Sequence, residues 1–124
     1  SVTGEFNLSE HNATLLFVTL NKSDKDFSPS TQYNDYLINE HYFHWQSQNT
    51  DSHQNNGGQR YTKQADTQNK IILFVREEKK DGYGNTCPFH CFGLVEYMSS
   101  HDDFPMNITW KLQQPAMAQY VKAI

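Results

Sequence analysis

Tyr42-Phe43-His44-Trp45-Gln46-Ser47-Gln48 sets large aromatic rings directly against a string of small hydrogen-bonding side chains. Read as a β-strand, the run alternates, with Phe43 and Trp45 on a buried face and Tyr42, His44 and Gln46 on the other. Read as a ligand site, the same residues suit a flat, polar molecule. Planar π faces attract planar π systems, and Gln and Ser offer donors and acceptors to the edge of a nucleobase. The letters alone leave both readings open.

The surrounding composition favours strands. Seven Tyr, eight Phe and two Trp in 124 residues suit a pleated surface better than a helix. A chain of this length encloses one core, so residues 1–124 are expected to form a single, mainly β domain (α+β as the variant). Its start at Ser1 reads as a piece cut from a longer protein. The net charge of −4 argues against binding nucleic acid by bulk attraction, which needs Lys and Arg along the phosphate backbone. Basic residues do group between Arg60 and Lys70 and between Arg76 and Lys80, which allows one positive edge or simply a solvated face. No signal peptide or membrane-crossing apolar run is visible, and the expected setting is soluble and cytoplasmic. The sequons at Asn12 and Asn107 are discounted for the same reason.

Outward from the aromatic stretch, Thr14–Leu20 reads as a strand followed by a turn over Asn21–Asp26. Ser30 or Thr31 can cap a short helical turn that carries Tyr33, Tyr36 and Leu37 on one face. Apolar residues nearly vanish between Asn49 and Asn69, which reads as a long polar loop, functional or floppy. Further strands are expected over Lys70–Arg76, Phe89–Tyr97 and Met106–Leu112, with Asp81-Gly82 and Gly84-Asn85 as turn residues. Ile71–Val75 is apolar on both faces and therefore central in the sheet. Four or five strands with one or two short helices would curl into a small barrel.

Chemistry-bearing motifs are sparse. Cys87-Pro88-Phe89-His90-Cys91 has zinc-ligand residue types, but His90 and Cys91 would point to opposite faces of a strand and no fourth ligand falls in register. No nucleophile elbow, His-Glu-x-x-His spacing or phosphate-binding glycine loop occurs. A hydrolase using His44 or His90 lacks a positioned nucleophile, and no catalytic residue, metal or cofactor is assigned. Tyr33-Asn34-Asp35-Tyr36 places two rings beside a carboxylate, which suits stacking on an extruded base while the acid accepts from an exocyclic amine such as that of cytosine; a Tyr-rich loop covering one end of the domain would show the same letters.

The blocks Leu16–Lys22, Phe27–Tyr36, Phe43–Gln48, Leu73–Glu77, Phe92–Tyr97 and Pro105–Trp110 resemble the uncharacterised C-terminal domain that follows superfamily II helicase and phospholipase D-type nuclease modules in bacterial proteins. Phe43-His44-Trp45-Gln46-Ser47-Gln48 is the specific part. Some multidomain members look like type IV, modification-dependent restriction enzymes. The resemblance therefore implies a recognition region for methylated or hydroxymethylated cytosine in a restriction or phage-defence protein, with a β-barrel of the SRA or PUA-like kind. Helicase and nuclease motifs are themselves absent from this sequence.

By analogy with base-flipping pockets, Tyr33, Asp35, Tyr36, Phe43, His44, Trp45, Gln46, Ser47 and Gln48 are the expected base-binding residues. Tyr36 and Trp45 would stack, and Arg60, Lys63 and Lys70 would hold phosphates. The expected partners are DNA and the helicase and nuclease modules of the parent protein. The alternative is a structural coupling domain that docks on the helicase without reading a base. Enclosed Phe43 and Trp45 side chains would favour that alternative.

Overall fold

The computed structural model describes residues 4–21 and 34–124. Alternating burial converts the apolar runs into strands: β1 (Glu5–Leu8), β2 (Ala13–Asn21), β3 (Tyr36–Asn39), β4 (Tyr42–Gln46), β5 (Lys70–Glu78), β6 (His90–His101) and β7 (Asn107–Leu112). They form one seven-stranded sheet in the order β1-β2-β5-β6-β7-β4-β3. The mainly β expectation holds. Among the described residues no pairing joins β1 to β3, so the sheet keeps two edges and strand pairing does not close it into a barrel.

β2 and β5 run parallel, from Ala13 opposite Lys70 to Asn21 opposite Glu78, while the other neighbours are antiparallel. A central parallel pair is apolar on both faces, as Ile71–Val75 shows. Leu16, Val18, Ile71, Leu73 and Val75 point to the inner face and are buried; Leu15, Phe17, Ile72 and Phe74 point to the outer face and are half-buried. The inner face continues through Val95, Ile108, Trp110, Phe43, Trp45 and Leu37.

Two expectations are corrected by what covers that inner face. The segment 49–69 is not a loop throughout, because it contains α1 (Asn56–Thr62) and α2 (Gln64–Thr67). Two glycines give α1 a poor intrinsic propensity. Tertiary contact overrides it: the Asn55 side chain accepts from Gly58 N at 3.0 Å, and Tyr61 is fully buried in the core. Gly58 is required by proximity, since a Cβ there would lie 1.8 Å from Ser52 O and 2.6 Å from Met106 Sδ. The second correction concerns Tyr36 and Leu37, which lie on a strand and not on a helical turn, so they point to opposite faces. Leu37 is buried and Tyr36 exposed; Tyr33 lies outside the described residues.

A third helix, α3 (Ala118–Val121), closes the core with Tyr120, whose hydroxyl donates to Val75 O at 3.2 Å. The β5–β6 connection turns at Asp81, whose carboxylate accepts from Tyr83 N and Asn85 N, with Gly84 at φ +81°. No helix among the described residues is long and apolar enough to cross a membrane.

Candidate functional site

β4 decides which of the expected base-binding residues can meet a ligand. Its inward side chains pair across the sheet with β7, Phe43 opposite Trp110 and Trp45 opposite Ile108. Phe43 is fully buried and Trp45 is 5% exposed. Trp45 meets Tyr61 edge-on at 5.0 Å and lies tilted against Trp110 at 6.1 Å. Both rings fill the core and offer no face to a ligand, which corrects the assignment of Trp45 to stacking. Ser47 is also enclosed, with Oγ accepting from Met106 N at 3.0 Å. Gln48 leaves the group, because its Nε2 donates to Glu5 Oε2 at 3.4 Å.

The outward residues of β3, β4 and β7 do come together. The Tyr36 ring, 43% exposed, stacks on His44 with centroids 4.5 Å apart and planes 16° from parallel. Under it, His44 Nδ1 lies 2.8 Å from Asn34 O and Nε2 lies 3.1 Å from Asn107 Oδ1. With a carbonyl oxygen opposite each ring nitrogen, both contacts are hydrogen bonds when both nitrogens carry protons. Gln46 Nε2 donates to the same Asn107 oxygen at 3.0 Å, and Asn107 Nδ2 donates to Asp102 Oδ2 at 3.1 Å. Asp35 accepts from Gln46 N at 2.9 Å, while Gln46 Oε1 accepts from Asn34 N. The result is an exposed ring above a polar network whose amides already bond one another. Asn34, Asp102 and Asn107 belong to this network although none of them was among the expected base-binding residues. For Asn107 the signal was the alternation Asn107-Ile108-Thr109-Trp110, which sends it to the face opposite Trp110.

The expected phosphate ligands do not surround that ring. Arg60 Nη1 pairs with Glu5 Oε1 at 3.2 Å, and the Glu5 side chain is only 5% exposed. Arg60 and Lys63 belong to the helical segment over the inner face, across the sheet from Tyr36. Lys70 alone points outward, at the exposed start of β5.

The Glu5 carboxylate also accepts from the Tyr61 hydroxyl. Burial, followed by the Glu5 charge, drives the Tyr61 phenol far above its ordinary range, so it stays a donor. Burial and then Glu5 likewise raise Asp51, partly offset by the Gln48 amide and Arg60.

The Cys-Pro-Phe-His-Cys stretch does not form a ligand set. His90 Nδ1 lies 2.7 Å from the Tyr120 hydroxyl, Cys91 is exposed, and the described residues contain no group of three His, Cys, Asp or Glu side chains placed to hold a metal. A cavity of about 160 Å³ lies between Cys87, Arg76 and Tyr120, and it shares no residue with the Tyr36 network.

A second aromatic group occupies the outer face at the other end of the sheet. Phe17 stacks on Phe74 at 4.9 Å and meets Phe89 and Phe6 edge-on at 5.2 and 5.7 Å. The Arg76 guanidinium lies 4.2 Å from the Phe89 centroid, tethered by Nε to Thr19 Oγ1. Phe6 is 45% exposed, and the other three rings are half-buried.

A family model described as a domain of unknown function, DUF3427, matches residues 2–123. The chain belongs to that family. The match spans both aromatic groups and every strand, so DUF3427 here is a small β-rich domain. Among curated proteins, none matches the chain.

Proposed function

We propose that this DUF3427 domain is a structural coupling module, docking through the outer face of β1, β2 and β5 onto another part of a larger bacterial DNA-processing protein of the helicase and nuclease kind. One observation carries the reading: β2 and β5 are apolar on both sides, and on the side away from the core the exposed Phe6 adjoins the half-buried Phe17, Phe74 and Phe89. An aromatic cluster that reaches the surface of a small domain is the kind of apolar patch that interaction sites use. The enclosure of Phe43 and Trp45 supports the same choice over a base pocket, and the net charge of −4 gives no bulk attraction to DNA. In this role the domain works in the bacterial cytoplasm and catalyses nothing in docking. Titrating the domain into the remainder of its parent protein tests it. Binding that is lost on Phe74→Lys, with the fold retained by circular dichroism, supports docking; absence of binding, or equal binding by the variant, removes it.

A second reading, favoured by the open Tyr36 ring above His44, Asp35 and Gln46, is recognition of a modified cytosine in DNA. One exposed ring gives stacking on one side only, so the base would lie against the sheet and not inside a pocket. Titration with 5-methylcytosine, 5-hydroxymethylcytosine and plain duplexes decides it. Preference for one modified duplex, weakened by about 1–3 kcal/mol in Tyr36→Ala, supports the reading, and equal weak binding to all three refutes it.

A further inference from the structure

We propose that Ser100 is a nucleophile activated by His53 and Asp103, able to accept an acyl group from a carboxylic ester. Ser100 Oγ lies 2.6 Å from His53 Nε2, and His53 Nδ1 lies 2.8 Å from Asp103 Oδ1. The same carboxylate oxygen accepts from His53 N at 2.8 Å, so Asp103 fixes both the backbone and the ring of the base. These two bonds hold the Asp103 carboxyl below the usual carboxylate range, which keeps it an acceptor. An ionised Asp103 carboxylate can only accept, so Nδ1–H donates to it, and in the neutral imidazole Nε2 is then the nitrogen that accepts the Ser100 proton. That is the order of roles in a serine, histidine and aspartate triad, which is recognised by geometry and not by sequence position.

The fold assembles the three from separate places. His53 precedes α1, Ser100 lies near the end of β6, and Asp103 lies in the β6–β7 turn between Asp102 and Phe104, both at positive φ. Phe104 N donates to Asp51 O at 2.9 Å, tying that turn to the His53 segment. A bulge between Tyr97 and Ser99 shifts the register, so Tyr97 and Ser100, three apart, face the same way, opposite Trp110 and Ile108. The Tyr97 hydroxyl thereby reaches 2.6 Å from Ser100 Oγ, close enough to hydrogen-bond it and to hold it beside His53. His53 and Asp103 side chains are 36% and 42% exposed, so the group is open to solvent. Phe104, 63% exposed beside Asp103, offers an apolar surface to an acyl chain.

In the step proposed, Ser100 Oγ bonds to the ester carbonyl carbon and its proton passes to His53 Nε2. The bond to the leaving alkoxy oxygen then breaks, and that oxygen takes the proton from Nε2. Water, giving a proton to His53, attacks the acyl-serine; Ser100 recovers its proton and the carboxylic acid leaves. The reaction is independent of the docking and DNA readings, since it uses none of their residues.

The test treats the full chain with a fluorophosphonate, which forms an Oγ–P bond and expels fluoride, and locates the adduct by mass spectrometry. Expected is an adduct on Ser100, formed at a rate that rises through the pH range where an imidazole loses its proton, and slower by about 10²–10⁴-fold in His53→Gln. Asp103→Asn should also slow it, while Tyr97→Phe should slow turnover of a p-nitrophenyl ester with little change in melting temperature. No adduct on Ser100, a flat pH profile, or an unchanged rate in a folded His53→Gln protein overturns the proposal. Should that variant not fold, the pH profile of the unaltered protein decides by itself.

Discussion

Replacing Trp45 by Ala separates core from ligand surface, because its neighbour Tyr36, one strand away, provides a matched control. Trp45 is 5% exposed and contacts two further rings, Tyr61 at 5.0 Å and Trp110 at 6.1 Å. Truncating a buried Trp to Ala costs about 3–5 kcal/mol, and loss of two aromatic pairs at about 0.5–1.5 kcal/mol each accounts for part of it. Against a total stability of about 5–15 kcal/mol for a domain, this is a large fraction. Tyr36→Ala, by contrast, removes an exposed ring with one stacked partner, and is expected to cost about 0.5–1.5 kcal/mol. Urea unfolding followed by far-ultraviolet circular dichroism measures both. A cost below about 1 kcal/mol for Trp45→Ala, or equal costs for the two variants, would refute the placement of Trp45 in the core.

Other outcomes follow from single contacts. Gly58→Ala should destabilise by about 1–3 kcal/mol in the same assay, because the added methyl meets the Ser52 carbonyl and the Met106 sulfur; a neutral effect would contradict the close approach. Tyr61→Phe removes a donor from the enclosed Glu5 carboxylate and should cost about 1.5–3 kcal/mol, with Glu5→Gln in the Tyr61→Phe background recovering part of the loss. Asp51 has a native pKa raised above its unfolded value, so its contribution is most favourable below the unfolded value and is lost as pH rises through the native one. Asp51→Asn should therefore gain stability relative to the unaltered protein as pH rises above the ordinary aspartate value, and thermal melts showing the reverse trend would contradict it. For Asp103 the sign is opposite: its pKa is lowered, so its contribution is present above the unfolded value and fades as pH falls.

How much the sequence discloses varies along the chain. Thr14–Leu20 and Ile71–Val75 were legible as strands, and Ile71–Val75 as central, because a short run that is apolar on both faces needs cover on both. The four-residue edges β1 and β3 carry too little pattern to read. α1 stayed hidden because Gly57 and Gly58 suppress propensity, and the reason for Gly58 is a contact with Ser52 and Met106 that only the folded chain makes. At the site, alternation sent Phe43 and Trp45 inward and His44 and Gln46 outward, which was one of the two readings. What the alternation could not show is which outward residues meet: Asn107 joins His44 from 63 positions away. The group at Ser100 was invisible for the same reason, since no spacing links residues 53, 100 and 103 until a bulge and a turn bring them together.

The parallel pairing of β2 with β5 bears on how the chain assembles during synthesis. The β2 residues that pair with β5 wait for partners 57 positions later, Ala13 for Lys70 and Val18 for Val75. Until β5 leaves the ribosome, β2 is a two-sided apolar strand whose paired neighbour among the described residues is the short β1, and such non-local pairing is slow and open to aggregation. The β6–β7 hairpin and the long-range β4–β7 pairing come later still, so the sheet is expected to form only after nearly the whole domain has emerged. Pulse proteolysis of ribosome-bound chains of increasing length measures this directly, with protection of β2 arising only in chains that extend past β5.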